Sequence, residues 1–151
     1  MVMYNKLPDS GCFEVQNGTK CDVPYGGRTD RRTPLTILGV TFDPVTMDET
    51  VRNIAGMVEA NIPHYIVTPN VDILVQARFD AELHQILLNA DLVLCDGTPL
   101  LWASHWLGNP LPNRVAGSDL TPRIIEQAER LGHRLFLLGA TPDSNAKAAV
   151  R

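Results

Sequence analysis

The sequence contains no long apolar run, few cysteines and no excess of basic residues. No stretch of about 18 apolar residues occurs, so no membrane-spanning helix is predicted, and the first residues lack the apolar core of a secretory signal. The three cysteines, Cys12, Cys21 and Cys95, form no C-x-x-C pair, which disfavours a disulfide framework or a zinc site. The net charge of −4 disfavours a broad nucleic-acid surface. These absences favour a cytoplasmic protein with reduced thiols and no nucleic-acid partner.

A glycine motif typical of dinucleotide-binding enzymes is also absent. The pattern G-x-G-x-x-G follows none of the apolar runs, including those in "LGVTFD" and "LGATPD". The glycines of that motif let the backbone approach a pyrophosphate. Its absence therefore argues against the first alternative for this chain, a Rossmann-type oxidoreductase.

What the sequence does contain is enough for one compact domain. It has 151 residues, of which 44% are apolar and 20% are charged, an ordinary globular composition. A chain of this size buries about 68–70% of the surface that it exposes when unfolded. Residues 1–34 are rich in turn formers and show little periodicity, so we expect an irregular N-terminal extension there. The domain itself is expected over residues 35–151.

From Thr36 onwards, short apolar runs alternate with stretches of helical periodicity. Alternation of this kind predicts βαβ units and a parallel sheet. Nearly continuous apolar runs are typical of strands that are covered on both faces. The predicted fold class is therefore α/β, with a Rossmann-like parallel sheet of alternating strands and helices. Strands are predicted at residues 36–43, 64–68, 91–96 and 133–140.

Two of the predicted helices carry clear local signals. Thr46 and Glu49 have the spacing of a capping box, ahead of a helix that is predicted to run to about Ala60. Apolar residues at helical spacing predict a single long helix from about Asn70 to Asn89.

Small and polar residues follow each predicted strand. Ligands of open α/β sheets bind beyond the carboxyl ends of the strands, so these residues are candidates for a site. Each also has a structural explanation. Asn is a favoured N-cap, and Asp-Gly is a common turn pair. A glycine between strand and helix can form a turn, although it can also let backbone amides reach a phosphate. The residues alone leave both explanations open. The candidates selected in this way are Asp43, Thr68, Asn70, Asp96, Gly97, Gly139, Ala140 and Thr141.

Read together, four motifs are far more specific than any one of them. T-P-N begins at Thr68, D-G follows at Asp96, R-V-x-G-x-D begins at Arg114, and F-L-L-G ends at Gly139. In this order and spacing the chain, from near Thr36 to its end, resembles the WecG/TagA/CpsF glycosyltransferase family. Residues 1–34 show no comparable resemblance.

The resemblance implies a specific reaction. Members of that family move a sugar from a UDP-sugar donor to a polyprenyl-diphosphate-linked sugar, typically an undecaprenyl-linked N-acetylglucosamine. Donors of the N-acetylmannosamine or glucose type occur, and the anomeric centre is inverted. The reaction serves bacterial cell-surface polysaccharide synthesis, and the implied location is the membrane surface at the inner, cytoplasmic face.

The resemblance also assigns roles to residues. Asp96 matches the family's proposed base, which takes the proton from the acceptor hydroxyl. Arg114 matches a family arginine and is expected to pair with the donor diphosphate through its planar fork. Gly139 lies in a loop that would add backbone amides. Thr68 and Asn70 match positions that line the pocket and would bind sugar hydroxyls.

No metal or other cofactor is expected. Many sugar-nucleotide transferases hold a divalent metal with a D-x-D motif, and this sequence contains no such motif. Its absence, together with Arg114, favours a metal-independent transfer.

The chain departs from the family pattern after its fourth predicted strand. Family members continue with a further strand, a G-x-P-x-Q-E-type motif and a C-terminal appendage that helps membrane docking. The domain is therefore expected to be incomplete at its C-terminus, and an unfinished sheet favours association into a homo-oligomer. For the same reason, robust activity of this chain alone is not expected. The second alternative also follows from this departure, and it is a non-catalytic fragment or scaffold remnant of such a transferase.

Overall fold

The computed structural model describes residues 2–4, 32–60, 62–139 and 141–149 and shows a mixed α/β protein. Strands and helices alternate over much of this part of the chain, as predicted. The strands are β1 (Val2–Tyr4), β2 (Leu35–Ile37), β3 (Val40–Phe42), β4 (Ile66–Val67), β5 (Leu92–Val93) and β6 (Leu135–Leu137). The helices are α1 (Met47–Glu59), α2 (Val71–Ala77), α3 (Ala81–Leu88), α4 (Thr98–Trp106), α5 (Gly117–Leu131) and α6 (Pro142–Ala149).

The parallel pair β4–β5 lies at the centre of the described structure. Ile66 pairs with Leu92, and Val67 pairs with Val93. Backbone hydrogen bonds continue this pairing beyond the strand ends, from Asp91 N to Tyr65 O (3.0 Å), from Leu94 N to Val67 O (2.8 Å) and from Asp96 N to Pro69 O (3.3 Å). The two chain segments therefore run side by side up to the residues that were predicted to form the site.

On its other side, β5 contacts the residue that follows β3. The backbone N–H of Asp43 donates to Val93 O (3.0 Å), and the Asp43 carboxylate accepts from Val93 N (2.9 Å). Asp43 thus fixes the edge of β5, which is a structural use of a residue selected as a site candidate.

The first predicted strand is a hairpin instead. β2 and β3 pair antiparallel, with Leu35 opposite Phe42. They are joined by Leu38 (φ 50°) and Gly39 (φ 86°). Two central residues with positive φ match the twist of a two-residue hairpin, so the single strand predicted over residues 36–43 is wrong.

The prediction of one long helix from Asn70 to Asn89 is also wrong, because this stretch forms two helices. α2 ends at Ala77, and Asp80 starts α3 by accepting hydrogen bonds from the N–H groups of Glu82 and Leu83, both at 3.0 Å. An aspartate that accepts from the backbone in this way caps a new helix rather than continuing the old one.

The capping box predicted for α1 is confirmed. The Thr46 hydroxyl accepts from Glu49 N (3.3 Å), and the Glu49 carboxylate accepts from Thr46 N (2.6 Å). The hydrogen bond from the Thr46 backbone is the main cause that lowers the pKa of Glu49, and Arg32 adds to it from 2.6 Å.

Strand β6 does not join the parallel pair within the described part of the chain. It pairs antiparallel with β1, and Val2 lies opposite Leu137. The wider Rossmann-like sheet stays a prediction. So does the division at residue 34, because residues 5–31 lie outside the described residues and Val2–Tyr4 form a strand.

The core forms on both faces of β5. Leu92 and Leu94 belong to one buried cluster, with Ile54 of α1 and Ile124 of α5. Val93 and Cys95 belong to the other, with side chains of β3, α2, α3 and α4. Successive side chains of a strand point to opposite faces, so a continuous apolar run fills two cores at once. This is the double coverage that the sequence predicted for its strands.

Candidate active site

Two of the predicted site segments lie side by side at the carboxyl ends of β4 and β5. Thr68, Pro69 and Asn70 follow β4, and Asp96 follows β5, two residues after Leu94. The hydrogen bond from Asp96 N to Pro69 O (3.3 Å) joins them directly. Pro69 is fully buried between its polar neighbours. The proline thus anchors the segment in the core, and the flanking Thr68 and Asn70 are only partly buried.

A third segment, from Arg114 to Gly117, lies against the first two. Val115 N donates to Cys95 O (2.8 Å), which places this segment beside the end of β5. A Cβ atom built on Gly117 would lie 3.3 Å from the Thr68 hydroxyl. That distance is tight for a real side chain, so a glycine suits this position. Sequence reasoning did not single out Gly117, although it is the glycine of the R-V-x-G-x-D motif.

Asn70 caps helix α2, and this cap is compatible with the second suggested role of its side chain, which is to bind a sugar hydroxyl. Its Oδ1 accepts from Ile73 N (3.0 Å), and its backbone is extended, as at an N-cap. Its Nδ2 group makes no hydrogen bond to any other described residue. The cap therefore fixes the side chain and leaves two N–H donors for another group.

Asp96 is half-buried at the start of the loop to α4. Within the described residues its carboxylate has neither a hydrogen bond nor an ion pair. Gly97 is the N-cap of α4 and has no side chain to cap the helix. The first N–H groups of α4 therefore follow Asp96 directly in the sequence and have no side-chain cap. A partly exposed carboxylate that no described side chain engages has its oxygens available to accept a proton.

The neighbouring Cys95 is not a second reactive group. Its side chain is buried, and its Sγ lies 3.8 Å from Gly97 O. Burial is the main cause that raises the pKa of the Cys95 thiol to about 11, and the negative charge of Asp96 adds to it. A thiol that stays protonated at neutral pH is a poor nucleophile and a poor metal ligand.

Arg114 is held by an ion pair within its own motif. Its Nη2 donates to Asp119 Oδ2 at 2.6 Å, and both side chains are about half exposed. Asp119 is the aspartate of R-V-x-G-x-D and lies in the first turn of α5. The sequence predicted Ser118 or Asp119 near the cap of this helix and gave Asp119 no role in the site, whereas the N-cap is Ala116. The position of Asp119 five residues after Arg114 was the available signal.

No described hydrogen bond joins Gly139 to Thr68, Asn70, Asp96 or Arg114. Gly139 follows β6 with φ +107°, in a conformation that favours glycine, and its carbonyl accepts from Asn145 Nδ2 (2.7 Å). That hydrogen bond ties it to α6, and β6 pairs with β1. The contacts described for the chain thus bring Thr68, Asn70, Asp96 and Arg114 into neighbouring segments and do not bring Gly139 to them.

The described residues contain no group of three or more His, Cys, Asp or Glu side chains arranged to hold a metal ion. None of the helices in that part of the chain is both long and apolar enough to cross a membrane.

Sequence comparison identifies the family of the chain that carries this candidate site. The model of the Glycosyl transferase WecG/TagA/CpsF family matches residues 35–151. The chain therefore belongs to this family of glycosyltransferases, and the predicted resemblance is confirmed.

Its curated relatives are similar over most of the chain. An N-acetylglucosaminyldiphosphoundecaprenol N-acetyl-beta-D-mannosaminyltransferase of Staphylococcus aureus (strain NCTC 8325 / PS 47) is 36% identical over 109 residues, and so is the protein of the same name from strain COL. The matched region is 70% of this chain and 42% of each relative. The chain thus matches less than half the length of these relatives.

Proposed function

We propose that the chain transfers a sugar from a UDP-sugar to a polyprenyl-diphosphate-linked sugar in cell-surface polysaccharide synthesis. The observation that carries this proposal is the convergence of the T-P-N, D-G and R-V-x-G-x-D segments at one end of the β4–β5 pair. The names of the relatives support N-acetylmannosamine as the transferred sugar and N-acetylglucosaminyldiphosphoundecaprenol as the acceptor. A donor of the glucose type is the other choice for the same site.

In the proposed reaction, the Asp96 carboxylate takes the proton of the acceptor hydroxyl as that oxygen attacks the anomeric carbon. The bond between the anomeric carbon and the UDP oxygen breaks, and the bonding electrons leave with UDP. A single displacement of this kind inverts the anomeric centre. Arg114 would stabilise the charge that develops on the leaving diphosphate.

Thr68 and Asn70 are proposed to orient the sugars. The Thr68 hydroxyl and the uncommitted Nδ2 of Asn70 lie on segments adjacent to Asp96 and offer hydrogen bonds to sugar hydroxyls. Gly139 is proposed to add backbone amides to the donor site within a Rossmann-like sheet. We place the protein at the cytoplasmic membrane face, because the proposed acceptor is attached to a lipid.

A transfer assay with Asp96→Asn tests the proposal. With UDP-N-acetylmannosamine and the lipid-linked acceptor, we expect the variant to transfer sugar about 10²–10⁴-fold more slowly than the wild-type chain, because an amide cannot accept the proton. The matched control is Asp48→Asn, an exposed aspartate of α1 that pairs with Arg123, and it should retain full rate. Full activity of Asp96→Asn would reject the base.

A second candidate is a non-catalytic binding remnant of such a transferase. The observation that favours it is that no described hydrogen bond joins Gly139 to Thr68, Asn70, Asp96 or Arg114. The same assay decides, since a remnant would show no turnover in the wild-type chain.

A further inference from the structure

The exposed face of α4 carries both tryptophans of the sequence. Trp102 is 61% exposed and Trp106 is 88% exposed, and Leu107, just after the helix, is 58% exposed. Trp102 and Trp106 are four residues apart and therefore lie on the same side of the helix. The opposite side holds Leu100 and Ser104 in the core. We call Trp102, Trp106 and Leu107 the tryptophan face.

The tryptophan face lies in an uncharged part of the chain. Residues 97–113 contain no Asp, Glu, Lys or Arg, whereas 20% of the whole sequence is charged. Tryptophan is enriched where a protein meets the membrane–water interface, because its ring is apolar and its N–H group is polar. A protein interface is normally rimmed by charged and polar side chains, and this segment supplies no charged ones. Its charge pattern therefore fits a lipid surface better than a protein partner.

The size of the tryptophan face also disfavours a second copy of the chain as its partner. From their exposed fractions, the two indole side chains present roughly 350 Å² of surface. A stable dimer buries about 800 Å² on each partner. The exposed area is in the range of functional apolar patches on single proteins, about 300–600 Å².

The position of α4 connects this face to the candidate site. The helix begins at Thr98, two residues after Asp96, and its nine residues span about 13 Å. We infer that the tryptophan face docks on the surface of a lipid bilayer and inserts both indole rings at the interface. This inference rests on the proposed function, because the lipid-linked acceptor would lie in that bilayer. Docking through α4 would hold Asp96 within one helix length of the surface, where the acceptor's headgroup lies.

The intrinsic fluorescence of the whole chain tests this directly. Because both tryptophans lie on the face, their emission reports on the face alone. With phosphatidylcholine vesicles we expect the emission to shift to shorter wavelength, and brominated phosphatidylcholine should quench it. The absence of charge predicts little change between about 0.1 and 0.5 M salt. Emission that stays at its vesicle-free wavelength and is not quenched would overturn the inference.

Variants separate insertion of this face from general adhesion. In vesicle co-sedimentation, Trp102→Gln/Trp106→Gln should weaken binding roughly tenfold or more, because the buried apolar area is lost. The matched control is Phe79→Gln, which removes an aromatic side chain that is 87% exposed but lies in the turn after α2. Equal unfolding midpoints would show that the variants fold. Wild-type sedimentation of the double variant would contradict docking by α4.

Two further readouts separate the other outcomes. A blue shift without lipid that rises with protein concentration, together with a dimer in sedimentation velocity, would assign the face to a second copy and overturn the inference. Stabilisation of the chain by UDP is measured separately on the same protein. If UDP stabilises the chain and vesicles leave the emission unchanged, docking fails and the proposed function stands. If vesicles shift the emission and UDP has no effect, docking stands and the proposed function fails.

Discussion

At the residue scale, Arg114 is the candidate group whose surroundings are most clearly defined. Its ion pair with Asp119 is half exposed, and such pairs contribute only about 0–1 kcal/mol to stability. The pair therefore matters more for orientation, since it holds the guanidinium beside the segment that packs on Thr68. A planar fork held in this way is preorganised for a diphosphate.

We expect Arg114→Lys to weaken UDP binding about 10- to 100-fold. A hydrogen bond to a charged group contributes about 1.5–3 kcal/mol, and lysine cannot make the bidentate hydrogen bonds of a guanidinium group. Isothermal titration of the folded chain measures this. Arg123→Lys is the matched control, because Arg123 also pairs with an aspartate, Asp48, at 3.2 Å on the surface. If both variants bind UDP like the wild type, Arg114 is not a donor ligand.

The sequence alone predicted some of the candidate site residues. The rule on strand ends selected Thr68, Asn70 and Asp96, and Arg114 came from the motif. The contact between Thr68 and Gly117 was not readable, because it depends on how a loop crosses two strand ends that are far apart in the chain. The cap made by Asn70 was readable only as one of two open explanations.

At the element scale, the break between α2 and α3 is the clearest departure from periodicity. The apolar spacing continues across residues 78–80 and predicts one helix. It continues because α2 and α3 pack against the same buried cluster. The local chemistry of Asp80 outweighs that pattern. Its carboxylate accepts two backbone hydrogen bonds, which a continuous helix would not offer it.

Asp80→Ala should lower the free energy of unfolding by about 0.5–2 kcal/mol, the usual cost of losing an N-cap. Urea denaturation followed by circular dichroism provides the measurement. Asp72→Ala is the comparison, since Asp72 is exposed in the first turn of α2 and caps nothing. Equal losses in the two variants would mean that the Asp80 cap is energetically unimportant.

The hairpin β2–β3 shows a different limit of sequence reasoning. Asn-Gly or Asp-Gly usually marks a two-residue hairpin turn, and this turn is Leu38-Gly39. Leucine rarely adopts a positive φ, so the local sequence did not indicate a turn. Tertiary packing decides here, with Val40 and Phe42 fully buried beside β5.

At the scale of the whole molecule, β5 organises both the core and the candidate site. Its alternating residues fill two buried clusters, and its end brings the D-G segment beside T-P-N. The α/β class and the double coverage of β5 followed from the apolar runs. The same pattern in the fourth predicted strand did not give double coverage, since Phe136 of β6 is 67% exposed. The antiparallel pairing of β6 with β1 did not, because strand order is not encoded in periodicity.

A thermal melt of the whole chain with millimolar UDP or NAD tests whether these segments form a UDP-sugar site. A ligand that binds only the folded state adds about 2.7 kcal/mol at 100 times its Kd, which raises the midpoint by several degrees in a chain of this size. We predict a cooperative transition that UDP shifts upward and NAD does not. A cooperative transition unmoved by UDP, or moved equally by NAD, would mean that these segments do not form a UDP-sugar site.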